Sequence, residues 1–418
     1  MLKSFSFLVL LLGLTSPVFS QGTLLLQQAD LGENNIAFIY GGDVWVSSTD
    51  GGQATRITST AATERAPHIS PDGKQIAFSS NRTGSYCVYT VSIEGGEPQR
   101  LSFHPSNAFV RGWTNDGKDI YYATDRDSAP SRVHRLYSVS KDGGPELKMF
   151  EQWATDAAFS PNGKQMIIDR IRRWDSEWRI YRGGQNTPLS ILDVKSLKET
   201  LLPNEQTTDI QPVWMNDKIY FLSDRDATMN VWVYGIKDKS LKQLTKYEGS
   251  DIKTLSGNAS NLLFERDGRL HTLNPESGAA NPLTITILGD FPWAEKKWED
   301  VSRRASSVSL SATGQRAILE ARGEIFTVPV EYGNSRNITN SSGTADRRPI
   351  WSPDGSQIAW FSDEGNKDYV LRITDQTGQG TKKDIALGVS KLGWEPAWSP
   401  DGKYIAFNDD DVRINILN

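Results

Sequence analysis

The sequence of 418 residues contains one cysteine and four histidines, and this scarcity excludes several kinds of chemistry. With Cys87 alone, no disulfide can form within the chain, and its place in an alternating strand predicts a buried side chain. The histidines fall in separate repeats, and neither Gly-x-Ser-x-Gly nor His-Glu-x-x-His occurs. The sequence therefore predicts no catalytic residue, no metal site and no cofactor.

Beyond residue 20 the chain also lacks long apolar runs, and its net charge of −5 includes basic residues spread along its length. This predicts no membrane span and no nucleic-acid partner. Residues 1–20 have the pattern of a secretory signal peptide, with Lys3 before the apolar stretch Phe5 to Leu14 and Gln21 as the mature start. An exported chain without disulfides fits the bacterial periplasm, which is the predicted localisation.

A turn followed by an apolar strand recurs along the chain. Ser-Pro-Asp-Gly begins at Ser70, Ser352 and Ser399, and Ser160 begins the near copy Ser-Pro-Asn-Gly. Pro presets the backbone at the second position and Gly adopts the left-handed conformation at the fourth. Weaker copies put unit starts near 32, 114, 215, 256 and 311, so the period is that of a four-stranded propeller blade. An irregular β-sandwich would explain the strands but not the repeat.

The fold class predicted is all-β, with two β-propellers in tandem. Residues 21–286 are expected to form a six-bladed propeller, and residues 287–304 break the repeat and are expected to be a linker. Residues 305–418 are expected to be the first blades of a second, incomplete propeller of seven blades.

Three features suggest sites, each with a structural alternative. His68 precedes a repeated turn, and a packed or rim histidine is favoured over a catalytic one. The acidic runs at 363–368 and 409–411 contain possible calcium ligands, but neither has EF-hand spacing. The first run falls where other units have an Asp/Asn-Arg pair, which favours a turn cap and a salt bridge between blades.

The fourth unit has a long basic and aromatic insert, residues 169–184. Long loops on rigid scaffolds often have functional roles, and arginine binds carboxylates through two parallel hydrogen bonds. One interpretation is an extended hairpin that packs on a neighbouring domain. The other is a peptide-binding mouth whose candidate residues are Arg172, Arg173, Trp178, Tyr181 and Arg182.

The Tyr181-Arg182-Gly183-Gly184 segment, the run Ile219 to Asp226 and the opening of the second array, with Ala321 to Pro329, resemble the tricorn proteases. The resemblance extends over essentially the whole mature chain. It implies a six-bladed and a seven-bladed propeller followed by PDZ-like and serine protease domains, in a peptide-degrading enzyme whose propellers filter substrate and product. The full-length protein would then bind peptides or protein partners and could form a homo-oligomer.

The PDZ-like and protease domains have no counterpart in this sequence, so no catalytic residue of the family is assigned to it. Two other classes remain open. One is a non-enzymatic, Tol-type periplasmic propeller that binds protein partners at its rim. The other is an amidohydrolase with a fused propeller, which would need metal-binding histidines further along the chain.

Overall fold

The computed structural model describes residues 22–128, 133–171, 182–184, 186–291, 297–365, 368–388 and 392–418. These residues form β-strands, turns and loops, and none of them belongs to a helix that could cross a membrane. The chain divides into two compact units, one up to Asp290 and one from Phe291 onwards. The all-β class predicted from the alternating strands is confirmed.

The described part of the first unit forms six sheets, named here in chain order. The first three have strands with these bounds: first sheet, β1 (Gln27–Leu31), β2 (Asn35–Tyr40), β3 (Asp43–Ser48) and β4 (Gly51–Arg56); second sheet, β5 (Glu64–Ile69), β6 (Gln75–Thr83), β7 (Ser85–Ser92) and β8 (Gln99–Arg100); third sheet, β9 (Ala108–Trp113), β10 (Asp119–Thr124), β11 (Arg135–Ser140) and β12 (Leu147–Trp153). Neighbouring strands within each of these sheets pair antiparallel.

The next three sheets repeat this order: fourth sheet, β13 (Asp156–Phe159), β14 (Gln165–Asp169), β15 (Ser190–Asp193) and β16 (Glu199–Leu201); fifth sheet, β17 (Asp209–Met215), β18 (Lys218–Ser223), β19 (Asn230–Gly235) and β20 (Leu241–Gln243); sixth sheet, β21 (Thr254–Gly257), β22 (Leu262–Arg266), β23 (Arg269–Leu273) and β24 (Ala280–Pro282). Strand β25 (Ile285–Ile287) follows the sixth sheet and pairs parallel with β4 of the first.

The repeated turns have the predicted geometry. Gly73, Gly163, Gly355 and Gly402 all have positive φ, between +68° and +73°. In the first of these turns the amide of Gly73 donates to the carbonyl of Ser70 at 2.8 Å, which closes the turn. The Ser70 hydroxyl also bonds Asp72 at 2.6 Å, so the side chains hold the turn together as well.

The six sheets are arranged in a closed ring. The first strands of successive sheets contact one another from β1 to β21, and β21 in turn contacts β1. The apolar core lies between neighbouring sheets, because each buried cluster combines residues from two consecutive sheets. Separate sheets that are arranged about an axis and pack face to face with their neighbours form a β-propeller. Cys87 is fully buried in one of these clusters, as predicted.

The described part of the second unit forms three sheets with the same strand order. They are: seventh sheet, β26 (Ala305–Leu310), β27 (Arg316–Ala321), β28 (Glu324–Pro329) and β29 (Arg336–Asn337); eighth sheet, β30 (Arg347–Trp351), β31 (Gln357–Ser362), β32 (Val370–Asp375) and β33 (Lys383–Ala386); ninth sheet, β34 (Gly393–Trp398), β35 (Ile405–Asp409) and β36 (Ile414–Leu417). The seven-bladed ring expected for this unit stays a prediction.

Candidate functional site: the axis of the first ring

The innermost strands of the ring place polar side chains around its axis. Several of these strands contain a β-bulge, where one residue adopts positive φ: Gln28 at 51°, Ala66 at 48° and Gln211 at 52°. A bulge turns the strand and changes the direction of its side chains. Here it allows side chains of one sheet to reach the backbone of the next.

Asp30 and His68 form one such connection between the first two sheets. The Asp30 carboxylate lies 3.5 Å from Nδ1 of His68, and its other oxygen accepts a hydrogen bond from the amide of Ile69 at 2.8 Å. Both side chains are partly exposed, at 16% for Asp30 and 27% for His68. Water therefore reaches this pair. His68 is thus a histidine paired across two blades.

Arg111 and Asp156 form a second connection, between the third and fourth sheets. Nε of Arg111 lies 4.0 Å from Asp156 and donates to the carbonyl of Thr155 at 2.7 Å. The hydroxyl of Tyr121 donates to Ala157 of the fourth sheet at 3.0 Å. Position 112 must be glycine here, because a Cβ there would meet that hydroxyl at 2.6 Å.

Charges from opposite sides of the ring act on the same group. Burial raises the pKa of Tyr121, and the negative charges of Asp156 and Asp30 raise that pKa further. Asp30 is in the first sheet and Asp156 in the fourth, and these sheets are not neighbours in the ring. Both charges can influence one hydroxyl only close to the axis. Asp30, His68, Arg111 and Asp156 are named the axial belt.

Two further carboxylates connect adjacent sheets beside the axial belt. Asp169 accepts a hydrogen bond from the amide of Gln211 at 3.3 Å, and Glu265 accepts one from the amide of Gln28 at 3.2 Å. Burial raises the pKa of both carboxyls, and that of Asp169 rises well above its usual range. Burial likewise raises the pKa of Asp156, although Arg111 acts in the opposite direction. The axis therefore has carboxyl groups that resist ionisation.

A salt bridge between blades was predicted for the repeated Asp/Asn-Arg pair, and this prediction is wrong for its arginines, although Asp224 does pair with Arg182 of the preceding unit. Arg82 pairs with Glu64, Arg126 with Glu146 and Arg225 with Asp209, at 2.6 to 2.8 Å, and both partners of each pair belong to the same sheet. The arginine lies at or just after the end of the second strand, and its guanidinium lies over an aromatic ring of the third strand of the same sheet. The Asn81 side chain accepts a hydrogen bond from the amide of Thr63 at 2.8 Å, so it ties the hairpin to the segment before the first strand of the same sheet.

Of the candidate peptide-binding residues, four lie outside the described residues: Arg172, Arg173, Trp178 and Tyr181. Arg182 is described, and its guanidinium donates to the side chain and the backbone carbonyl of Asp224, both at 2.9 Å. The carboxylate of Asp224 is buried in the fifth sheet. Arg182 therefore joins the fourth unit to the next sheet, and peptide binding by these five residues stays a prediction.

The acidic runs considered as metal ligands form caps and ion pairs. Asp409 accepts hydrogen bonds from the amides of Asp411 and Arg413 and from the side chain of Asn415. Glu364 pairs with Arg372 of the same sheet. Within the described ranges, no group of three or more His, Cys, Asp or Glu side chains could hold a metal ion.

The axial belt was missed by reasoning from sequence, apart from His68. Its members come from four repeats and have different residue types, so no motif connects them. The one usable signal was position: each lies in the strand directly before a repeated turn. Strands at that place in every repeat form the inner wall of a propeller.

Known proteins resemble the chain in sequence over most of its length. The family model described as Tricorn protease N-terminal beta propeller domain matches residues 23–279. Tricorn protease homolog 1 of Streptomyces coelicolor is 28% identical over 348 residues, which make up 82% of this chain and 32% of that protein. Tricorn protease of Thermoplasma acidophilum is 23% identical over 72% of this chain and 28% of its own length.

Among solved structures, the crystal structure of the tricorn protease superposes with a TM-score of 0.60 at 21% sequence identity. The match covers 94% of this chain and 39% of that one, and it supports the propeller fold. The chain thus spans about a third of the length of these two curated relatives. Because the family model extends over residues 23–279, more than half of the chain, the protein belongs to the family of tricorn protease N-terminal β-propeller domains.

Proposed function

We propose that this chain is the propeller part of an exported, tricorn-like proteolytic enzyme, and that its first ring filters or docks the peptides that the enzyme degrades. The observation that supports this most is the axial belt. Ionisable side chains of four sheets lie on the inner strands of a closed ring, and each keeps 16% to 27% of its surface accessible to water. Polar and ionisable groups at the axis suit polar chains such as peptides better than apolar ligands.

The proteolytic role itself rests on relatives of which this chain covers only a part. Tricorn protease homolog 1 and the tricorn proteases are proteases by name, and the shared region is the propeller. Hydrolysis would be performed by domains of the serine protease type, as the resemblance implies. The role assigned to this chain is to select peptides and guide them.

The test is a calorimetric titration of the full chain with short unstructured peptides of graded length and charge. We expect saturable binding that weakens at higher ionic strength, because exposed charges are screened by salt. Asp30→Asn and Arg111→Gln should each change the affinity, and Asp116→Asn, in an exposed turn outside the axial belt, should not. Peptide binding that none of these variants alters would contradict the role of the axial belt.

The insert of the fourth unit is tested separately with peptides that have a free or an amidated C-terminus. If arginines anchor the carboxylate, Arg172→Ala/Arg173→Ala should abolish the preference for the free form. Arg182 is left intact in this variant, since its removal would leave the buried Asp224 without its ion pair. Equal affinity for both peptide forms would exclude a carboxylate anchor.

The alternative function is a non-enzymatic scaffold of the Tol type. Protein TolB homolog of Protochlamydia amoebophila is 23% identical over 49% of this chain. A scaffold should bind folded proteins at its rim and leave short peptides unbound. Such a result, with the axis variants behaving as wild type, would favour the scaffold over the filter.

Export to the periplasm is part of the proposal and is supported by the signal-peptide pattern of residues 1–20. Expression of the full gene in a bacterial host, followed by fractionation and mass spectrometry of the N-terminus, provides the test. We expect a periplasmic product that begins at Gln21. A product that keeps Met1 and stays in the cytoplasmic fraction would contradict export.

A further inference from the structure

Among the six sheets of the ring, the turn between the first two strands is shortest in the fifth. In the second, third and fourth sheets, five residues separate the first strand from the second, whereas in the fifth sheet only Asn216 and Asp217 separate β17 from β18. A full-length turn reaches its neighbour: Asn115 of the third sheet donates to the carbonyl of Ser160 in the fourth at 2.8 Å. The short turn leaves space between the fifth and sixth sheets.

This space is a cavity of about 380 Å³ with polar walls. It is lined on one side by the short turn and on the other by two turns of the sixth sheet, which contribute Ser260 and Glu276. Its volume is sufficient for a side chain the size of arginine. The cavity lies in the junction of the fifth and sixth sheets, and no residue of the axial belt lines it.

A largely buried tyrosine lies at the wall of the cavity. Tyr220 is 2% exposed, its ring packs in the apolar cluster between the two sheets, and its hydroxyl forms no hydrogen bond with any described residue. Tyr220 lines the cavity and its hydroxyl oxygen stays accessible there, so a ligand in the cavity could be its hydrogen-bond partner. The tyrosine hydroxyl can both accept and donate a hydrogen bond, so it can accept one from an N–H group of a ligand.

Two carboxylates act on this hydroxyl. Burial raises the pKa of Tyr220, and the carboxylates of Glu276 and Asp217 raise that pKa further. Asp217 is paired with Lys237 at 3.3 Å, but Glu276 has no ion pair among the described residues. Lys218 lines the same cavity and is exposed. A planar cation with several N–H groups could bond the Tyr220 hydroxyl and a carboxylate at once.

We propose that the cavity at the short turn, formed by Tyr220, Asp217 and Glu276, binds a guanidinium or ammonium group. The group would belong either to a free organic cation or to a basic side chain of a peptide or protein. This site is separate from the axial belt and does not depend on the proposed filtering role.

The probes are arginine amide, the neutral analogue citrulline amide, and a capped heptapeptide with one central arginine, each titrated into the full chain by calorimetry. We expect arginine amide and the peptide to bind, and citrulline amide to bind at least about tenfold more weakly, because hydrogen bonds to charged groups are the strong ones. Binding of the peptide alone would assign the site to a partner's side chain. Equal binding of both arginine probes would show that a free cation suffices.

Two variants test the residues. Tyr220→Phe should weaken arginine amide about fivefold and Glu276→Gln about tenfold, the range for the loss of one hydrogen bond. Tyr220→Phe removes a hydroxyl that has no partner, so folding should be unaffected. Glu94→Gln is the matched control, since Glu94 lies in the corresponding turn of the second sheet, whose junction has the full-length turn. No saturable binding, equal binding of citrulline amide, or equal loss in all three variants would overturn the proposal.

Discussion

The guanidinium of Arg82 lies 2.8 Å from the carboxylate of Glu64, whose side chain is completely buried. The same guanidinium lies 4.7 Å from the ring centroid of Tyr89. Burial raises the pKa of Glu64, while Arg82 and hydrogen bonds oppose this rise. This arrangement joins the hairpin between the second and third strands to the start of the first strand within a single sheet, and other sheets of the ring repeat it.

Replacing Arg82 by methionine should leave Glu64 as a buried charge without compensation. Removing one partner of a buried ion pair costs about 3–5 kcal/mol of the free energy of unfolding at neutral pH. The loss should shrink below pH 4, where Glu64 is protonated in both the folded and unfolded states. Urea unfolding followed by tryptophan fluorescence provides the measurement.

The control is Lys118→Met, which removes one partner of the exposed pair with Asp116 at 3.3 Å. Exposed pairs contribute about 0–1 kcal/mol, so this variant should be close to wild type. Equal effects of the two variants would contradict the importance of burial.

The substitution Asp156→Asn should make the protein more stable relative to wild type as the pH rises from 4 to 7. The pKa of Asp156 is raised in the folded protein, so wild-type stability falls as the pH passes from the unfolded pKa towards the folded pKa. Asparagine has no charge to lose, and its Oδ1 can keep the hydrogen bond from the amide of Ala157. The pH dependence of the free energy of unfolding measures this.

Asp116→Asn provides a control with the opposite sign. A hydrogen bond from Thr114 lowers the pKa of Asp116 in the folded protein. The stabilisation that the ionised Asp116 provides is therefore present above its pKa in the unfolded state and is lost as the pH falls. This variant should therefore become less stable relative to wild type as the pH rises. Parallel pH profiles for the two variants would contradict the pKa shifts.

Ile285 should be essential for ring closure. It is 1% exposed and begins β25, which pairs with β4 of the first sheet. Ile285→Ala removes buried apolar surface from the strand that joins the two ends of the ring and should cost about 2–5 kcal/mol. Leu288→Ala, at a 63% exposed position just after β25, should cost less than about 0.5 kcal/mol. Thermal and urea unfolding of both variants would show whether β25 contributes to the free energy of unfolding.

Cys87 should react with a thiol reagent only when the protein opens. Its side chain is fully buried in the apolar cluster of the first two sheets, with the guanidinium of Arg100 at 3.3 Å from its Sγ. The reaction rate should therefore become independent of reagent concentration and equal the opening rate. Ser59→Cys, which adds an exposed cysteine, should give one fast-reacting thiol beside the slow one. A fast reaction of wild type in native buffer would contradict the burial.

The sequence by itself determined the local structure of this protein. The turns that begin at Ser70 and Ser352 depend on four adjacent residues, and the strands after them depend on alternation. The burial of Cys87 followed from its place in such a strand. These features need only interactions between near neighbours, so their signals are contiguous and repeat with the blade.

Only the tertiary structure decided how the repeats meet. Ile285 pairs with Gly52 across more than half of the chain, and Asp30 and Asp156 approach one hydroxyl from non-adjacent sheets. The arginine that was expected to join two blades bonds instead within its own, because the aromatic ring and the buried carboxylate of that sheet are nearer. Such contacts depend on ring closure, which brings distant residues together, and no local pattern records which of them will face one another.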